Sequence, residues 1–143
     1  MRKGIRWFIK VLNELKEESN FSFELHIYGK IFKDEIKTIK SANFIIFKHG
    51  FETNKSIIFN SFDILVHPSF IEGSAKCIYE AMNYSLPIIC TKQSGSIVEN
   101  KVNGFIVDSG DSKSLKQALT FYLKNKKEIK IMGENSKRII KNY

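Results

Sequence analysis

The sequence predicts an α/β fold built on a doubly wound parallel sheet. Three observations carry this. Short apolar runs of strand length recur along the chain, stretches with helical periodicity separate them, and no Pro/Gly-rich linker divides a series that contains only two prolines. Parallel strands need crossovers of this kind, and the crossover helices cover both faces of the sheet. With 143 residues, 43% of them hydrophobic and 13% aromatic, the chain can supply a real core, and residues 1–143 are expected to form one domain.

Ile5, Phe8, Leu12 and Leu15 recur at three- to four-residue steps, which predicts an amphipathic helix over 5–18. The period then changes. Phe23, Leu25 and Ile27 alternate with other residues ahead of Tyr28-Gly29, as in a short strand running into a turn. After a helix over 33–41, the uninterrupted apolar run Phe44-Ile45-Ile46-Phe47 predicts a strand buried on both faces. A short helix over 54–61 precedes Ile64, Leu65 and Val66, a strand that stops at Pro68 because proline cannot donate to a central ladder. Residues 75–84 read as helix, Pro87 to Cys90 as a second buried strand, and Gly104 to Val107 as the last strand. Leu115, Ala118, Leu119, Tyr122 and Leu123 mark a helix face that Asp111 or Ser112 can cap, and Ile129, Met132, Ile139 and Ile140 mark a final helix.

The formal charge is +8, and most of the excess lies in residues 113–143, where nine basic side chains face two glutamates. A solvated helical face accounts for this first and an anionic membrane surface second; no nucleic-acid-binding motif accompanies the charge. Cys77 and Cys90 lie in apolar stretches without a CxxC pair or a histidine nearby in sequence, so neither a zinc site nor a disulfide framework is predicted. No apolar run reaches the roughly 20 residues of a membrane-spanning helix. The expected placement is cytoplasmic, with peripheral attachment at the inner face of the membrane as the role for the basic tail.

Ligands of doubly wound sheets bind beyond the carboxyl ends of the strands. The densest polar constellation falls there: His67-Pro68-Ser69-Phe70-Ile71-Glu72-Gly73-Ser74-Ala75-Lys76 leads from a strand end into the helix that bears Glu80. Gly73 permits close backbone approach, and a helix start presents N–H groups and a positive dipole end suited to phosphate. Glu72 and Glu80 can face one ligand above the sheet, and a carboxylate is a natural acceptor for the paired hydroxyls of a ribose or sugar ring. Spacing alone leaves both glutamates equally compatible with ordinary surface charges.

Pro68-Ser69, Glu72-Gly73, Glu80-Ala81-Met82 and Leu86-Pro87-Ile88-Ile89-Cys90-Thr91, in that order, resemble the signature of the retaining GT-B glycosyltransferases of the group 1, or family 4, type. Ser94-Gly95-Ser96, Val98-Glu99, Asn103-Gly104-Phe105-Ile106-Val107 and Gly110-Asp111 resemble the loop, strand and helix cap that follow in that family, so the resemblance covers essentially the whole chain. It implies the Rossmann-like C-terminal, donor-binding domain of an enzyme that transfers a sugar from a UDP- or GDP-sugar, with retention, to a glycan or lipid-linked acceptor, as in polysaccharide biosynthesis. By that resemblance Glu80 hydrogen-bonds the ribose, and Glu72 sits at the donor sugar as the catalytic residue. Backbone amides of Gly73, Ser74 and Ala75 face the donor, Lys3 neutralises the diphosphate, and Lys76 adds positive charge. No metal or other cofactor is required. The loop at His49-Gly50-Phe51 is expected to pass the base, while His26 and His49 are assigned structural or incidental places and His67 no catalytic one.

The departures from the pattern carry expectations of their own. Relatives have a strand ending in Gly-Arg before the Lys-Gly segment, central in the sheet between the strands at 23–28 and 63–67. Here only Met1 and Arg2 precede Lys3, so the first strand and the N-terminal acceptor domain are expected to be absent and strand edges to stand open. Ser85 replaces the family's glycine after the Glu-Ala-Met helix, a substitution that costs up to about 1 kcal/mol if the position needs positive φ. Two alternatives to an enzyme remain: a nucleotide-sugar-binding module that needs a partner chain with the acceptor domain, and an inactive truncated fragment.

Overall fold

A computed structural model describes residues 3–71, 75–94 and 97–143. Helices and strands alternate in the predicted order: α1 (Ile5–Glu18), β1 (Glu24–Tyr28), α2 (Lys33–Lys40), β2 (Ile45–Gly50), α3 (Lys55–Phe59), β3 (Leu65–His67), α4 (Lys76–Asn83), β4 (Ile88–Thr91), β5 (Gly104–Val107), α5 (Ser112–Lys124) and α6 (Lys126–Lys141). Every pairing between these strands is parallel. The strands form two sheets, β1-β2 and β3-β4-β5.

β4 shows why the sheet needs cover on both faces. Its four residues are all buried, and alternation sends successive side chains to opposite sides. Ile89 joins the cluster built from Trp7, Phe8, Val11, Leu12 and Leu15 of α1 and Leu115, Ala118, Leu119 and Tyr122 of α5. Ile88 and Cys90 join the opposite cluster, with Phe59 of α3 and Ile78, Ala81 and Met82 of α4. Helix α6 serves both, placing Met132 in the first cluster and Ile139 and Ile140 against the second.

The open edges expected between β1 and β3 are present. A cleft of about 500 Å³ separates the two sheets, lined by Leu25 and His26 from β1, Ile64, Leu65 and Val66 around β3, and Phe8, Leu12 and Tyr122 from the helices. The expectation for β2 needs correction. Ile45 is 60% and Phe47 42% exposed, because among the described residues β2 pairs only with β1, in a two-stranded sheet. An apolar run of this length does not distinguish a central strand from an edge strand. His26 is satisfied as a structural histidine: Nδ1 lies 2.8 Å from His49 Nε2 and Nε2 lies 2.8 Å from Glu24 Oε1, with the ring stacked against Phe47 and His49.

The end of α4 follows the Schellman pattern. Ser85 N–H donates to Met82 O at 3.1 Å and Leu86 N–H to Ala81 O at 3.2 Å, which requires the left-handed backbone found at Ser85, φ 59°. The family's glycine would adopt this conformation without the steric cost a Cβ brings. Ser85→Gly is therefore expected to raise stability by about 0.5–1 kcal/mol, read as a higher urea midpoint at unchanged slope; an unchanged or lower midpoint would contradict the assignment of strain to Ser85.

Candidate functional site

The loops that follow β3, β4 and β5 converge on one backbone atom. The carbonyl of Ser69, a fully buried residue, accepts from Thr91 Oγ1 at the end of β4 and from Ser109 Oγ beyond β5, the latter at 3.4 Å. The same Ser109 hydroxyl oxygen lies 2.6 Å from Gln93 Oε1, so its one proton serves either partner, and Lys92 Nζ pairs with Asp108 Oδ1 at 2.9 Å across the same two loops. Asp111 then caps α5 by accepting from Ser114 N–H at 3.2 Å. The Ser114 hydroxyl bonded to that carboxylate holds it below the ordinary aspartate range. The hydroxyls of buried Thr91 and half-buried Ser109 thus tie three loops together at the carboxyl ends of the strands, the place where such sheets take their ligands.

The N-terminal turn reaches the same place. Gly4 caps α1 with φ 72°, and a Cβ there would lie 1.8 Å from the carbonyl oxygen of Pro68. Only glycine permits both the left-handed backbone and this approach. Trp7, one turn into α1, meets Phe70 edge-on with ring centroids 5.6 Å apart. These contacts bring the Lys3-Gly4 turn against the loop that follows β3.

Helix α4 starts at Lys76, with Ala75 as an N-cap that supplies no side-chain acceptor. The Ala75 amide, expected to face a donor, instead donates to Ser94 O at 3.2 Å. That expectation is corrected: Ala75, 3% exposed, ties α4 to the β4 loop, and the sequence holds no sign of this long-range bond. Glu72, Gly73 and Ser74 lie outside the described residues, as do Gly95 and Ser96. His67 bridges the β3 end to α4, with Nε2 3.0 Å from Ser69 Oγ and Nδ1 3.4 Å from Cys77 Sγ. The histidine that Cys77 lacks in sequence is supplied in space, and this bridging position suits a structural part for His67.

Glu80 projects from the second turn of α4 with its side chain 21% exposed. Two lysines flank its carboxylate. Lys76, one turn earlier, has Nζ 3.7 Å from Oε1, the ordinary helical i, i+4 pairing. Lys55 has Nζ 3.3 Å from Oε2 and comes from another element. β2 ends at Gly50 with φ 70°, residues 51–54 turn back, and the Asn54 side chain accepts from Ser56 N–H and Ile57 N–H to start α3 at Lys55. Phe51 in that turn is 85% exposed. The site therefore holds a partly buried carboxylate between two cations beside a helix start whose N-cap residue, Ala75, gives no side-chain acceptor, an arrangement fit to take hydroxyls and an anion together. The sequence reading missed Lys55, because nothing in the spacing ties it to a glutamate 25 residues on; the asparagine cap just before it is the only local signal.

No group of three or more His, Cys, Asp or Glu side chains that could hold a metal ion occurs among the described residues. No helix of the described residues is long and apolar enough to cross a membrane. The 500 Å³ cleft between the sheets is not lined by Lys3, Lys55, Lys76 or Glu80. Volume alone therefore points away from the polar cluster; the convergence of strand ends, a helix start and charged groups is the more specific indicator of a ligand site.

Comparison with known proteins agrees with this architecture. An uncharacterised glycosyltransferase of Methanocaldococcus jannaschii is 27% identical over 99% of the chain and 41% of its own length. Among solved structures, a Staphylococcus aureus TarM variant in complex with fondaparinux, α-GlcNAc-glycerol and UDP superposes with a TM-score of 0.89 at 22% identity, over 99% of this chain and 30% of TarM. Anabaena HepE in complex with UDP and glucose superposes with a TM-score of 0.81 at 20% identity, over 99% and 40%. The chain thus spans less than half the length of each of these proteins, and it shares the Rossmann-like architecture of GT-B glycosyltransferases. Residues 1–125 match the family model of the group 1 glycosyl transferases, and the chain belongs to that family.

Proposed function

We propose that residues 1–143 form the donor-binding module of a retaining glycosyltransferase and hold the nucleotide of a UDP- or GDP-sugar. The observation that carries this reading is the carboxylate of Glu80, held between Lys55 and Lys76 beside the start of α4. Glu80 accepts the two ribose hydroxyls. The diphosphate lies toward the α4 start and the Lys3-Gly4 turn, where helix dipole and lysine charge oppose the negative charge that grows as the nucleoside diphosphate departs. Because that charge is met by lysines and backbone dipoles, the reading requires no metal. Glu72 and the amides of Gly73 and Ser74 complete the sugar end of the site.

The acceptor, a glycan or a lipid-linked glycan, is bound on this reading by polypeptide outside residues 1–143, either continuous with them or supplied by a partner chain. The complexes of TarM with UDP and α-GlcNAc-glycerol and of HepE with UDP and glucose support a nucleotide site on this fold. The reading places the protein in the cytoplasm, where the basic face of α6 can approach an anionic membrane surface.

Calorimetric titration of the folded chain with UDP, GDP and their sugars tests this. Saturable binding of one base with both its diphosphate and its sugar conjugate is expected. A chain with native circular dichroism that binds none of them would refute the proposal.

A further inference from the structure

We infer that Lys55 is a positioning residue for ribose recognition: it fixes the Glu80 carboxylate so that the site tells ribonucleotides from 2′-deoxyribonucleotides. The inference rests on the donor-site reading above and extends it to a residue from another element.

Glu80 needs a fixed orientation to accept two vicinal hydroxyls, yet a glutamate side chain has three rotatable bonds. Lys76 cannot fix it, because its own side chain is 88% exposed and meets the carboxylate at 3.7 Å. Lys55 meets the other oxygen at 3.3 Å with its side chain 44% exposed. Its backbone is set by the Asn54 cap, whose side chain accepts from Ser56 N–H at 3.1 Å. An ion pair between two elements, one end anchored by a helix cap, restricts the carboxylate more than a pair within one exposed helix face does. It leaves each carboxylate oxygen a lone pair for a ribose hydroxyl. When the 2′-hydroxyl is missing, a carboxylate held in this way leaves one acceptor unmatched, whereas a mobile carboxylate turns to water. Discrimination therefore depends on Lys55, while a simple cation would attract ribo- and deoxyribonucleotides equally.

The test compares, by calorimetry, the affinity for the nucleoside diphosphate bound in the titration above with that for its 2′-deoxy counterpart, in wild type, Lys55→Met and Lys55→Arg. The wild type is expected to prefer the ribonucleotide by about tenfold or more, the worth of one charge-assisted hydrogen bond. Lys55→Met is expected to reduce the preference to about twofold or less, and Lys55→Arg to restore most of it by keeping the ion pair. Circular dichroism confirms that each variant is folded. If Lys55→Met weakens both ligands equally and leaves the ratio intact, Lys55 acts only through charge and the inference is overturned. A wild type that binds the ribonucleotide without discrimination overturns it too and leaves the donor site standing, whereas a folded wild type that binds neither overturns the donor-site reading itself.

Discussion

Replacing Glu80 by alanine is expected to weaken nucleoside diphosphate binding by about 100-fold or more. Each hydrogen bond from a ribose hydroxyl to an ionised carboxylate is worth roughly 1.5–3 kcal/mol, and two of them are lost. The substitution also leaves Lys55 and Lys76 without the carboxylate that both now face, which makes the site more positive. The two effects oppose each other for a diphosphate and can be separated. Binding of the nucleoside alone should vanish in Glu80→Ala, while binding of inorganic pyrophosphate should be unchanged or tighter. Parallel titrations with the two fragments check this, and equal losses for both would show that Glu80 supports the site structurally instead of touching ribose.

Gly133→Ala should destabilise the protein by about 2 kcal/mol and lower its melting temperature by about 8 °C. Gly133 lies inside α6, where helix propensity alone favours alanine over glycine by about 1 kcal/mol. Packing reverses that sign. A Cβ there would lie 2.1 Å from the carbonyl oxygen of Ser85 and 3.5 Å from Pro87 Cδ, and a backbone carbonyl in a hydrogen-bonded helix end cannot turn aside. Helix α6 is moreover held in place within the turn that follows this contact. Lys137 Nζ donates to Asn83 O at 2.6 Å, Asn135 Nδ2 to Val102 O at 2.8 Å, and buried Asn103 Nδ2 to Ser136 Oγ at 3.1 Å. Relief requires α6 to shift and strain these bonds. Glu134→Ala, at the exposed neighbouring position, should change stability by no more than about 0.5 kcal/mol. Thermal denaturation of the pair decides the matter, and a higher melting temperature for Gly133→Ala would show that the contact can relax.

The elements of this fold were legible because each apolar period is uninterrupted. α1 spans Ile5–Glu18 and β5 spans Gly104–Val107, as the spacing of Ile5, Phe8, Leu12 and Leu15 and the run Gly104 to Val107 predict. The left-handed backbone at Ser85 had one signal, the glycine that the resembled family carries at this place, which raised positive φ as a condition without deciding it. Position within the sheet was not. Ile45 and Phe47 read as central-strand residues and lie at an exposed edge, because which neighbour a strand finds is set by the rest of the chain.

The candidate site divides along the same line. Glu80 and Lys76 share one helix, so sequence spacing places them together. Lys55 reaches Glu80 through a strand end, a turn and an asparagine cap, and the Ala75 amide is taken by Ser94 across two loops. Both are products of tertiary packing: the asparagine cap before Lys55 is a local signal for the helix start alone, and nothing local marks the Ala75 bond.

The most direct test of the donor-site account is a crystal structure of this chain with the nucleoside diphosphate that it binds. The account predicts both ribose hydroxyls within hydrogen-bond distance of the Glu80 carboxylate, and the diphosphate against the start of α4 and the Lys3-Gly4 turn. A nucleotide found elsewhere, for instance in the cleft between β1 and β3, with Glu80 still closed between its two lysines, would contradict it.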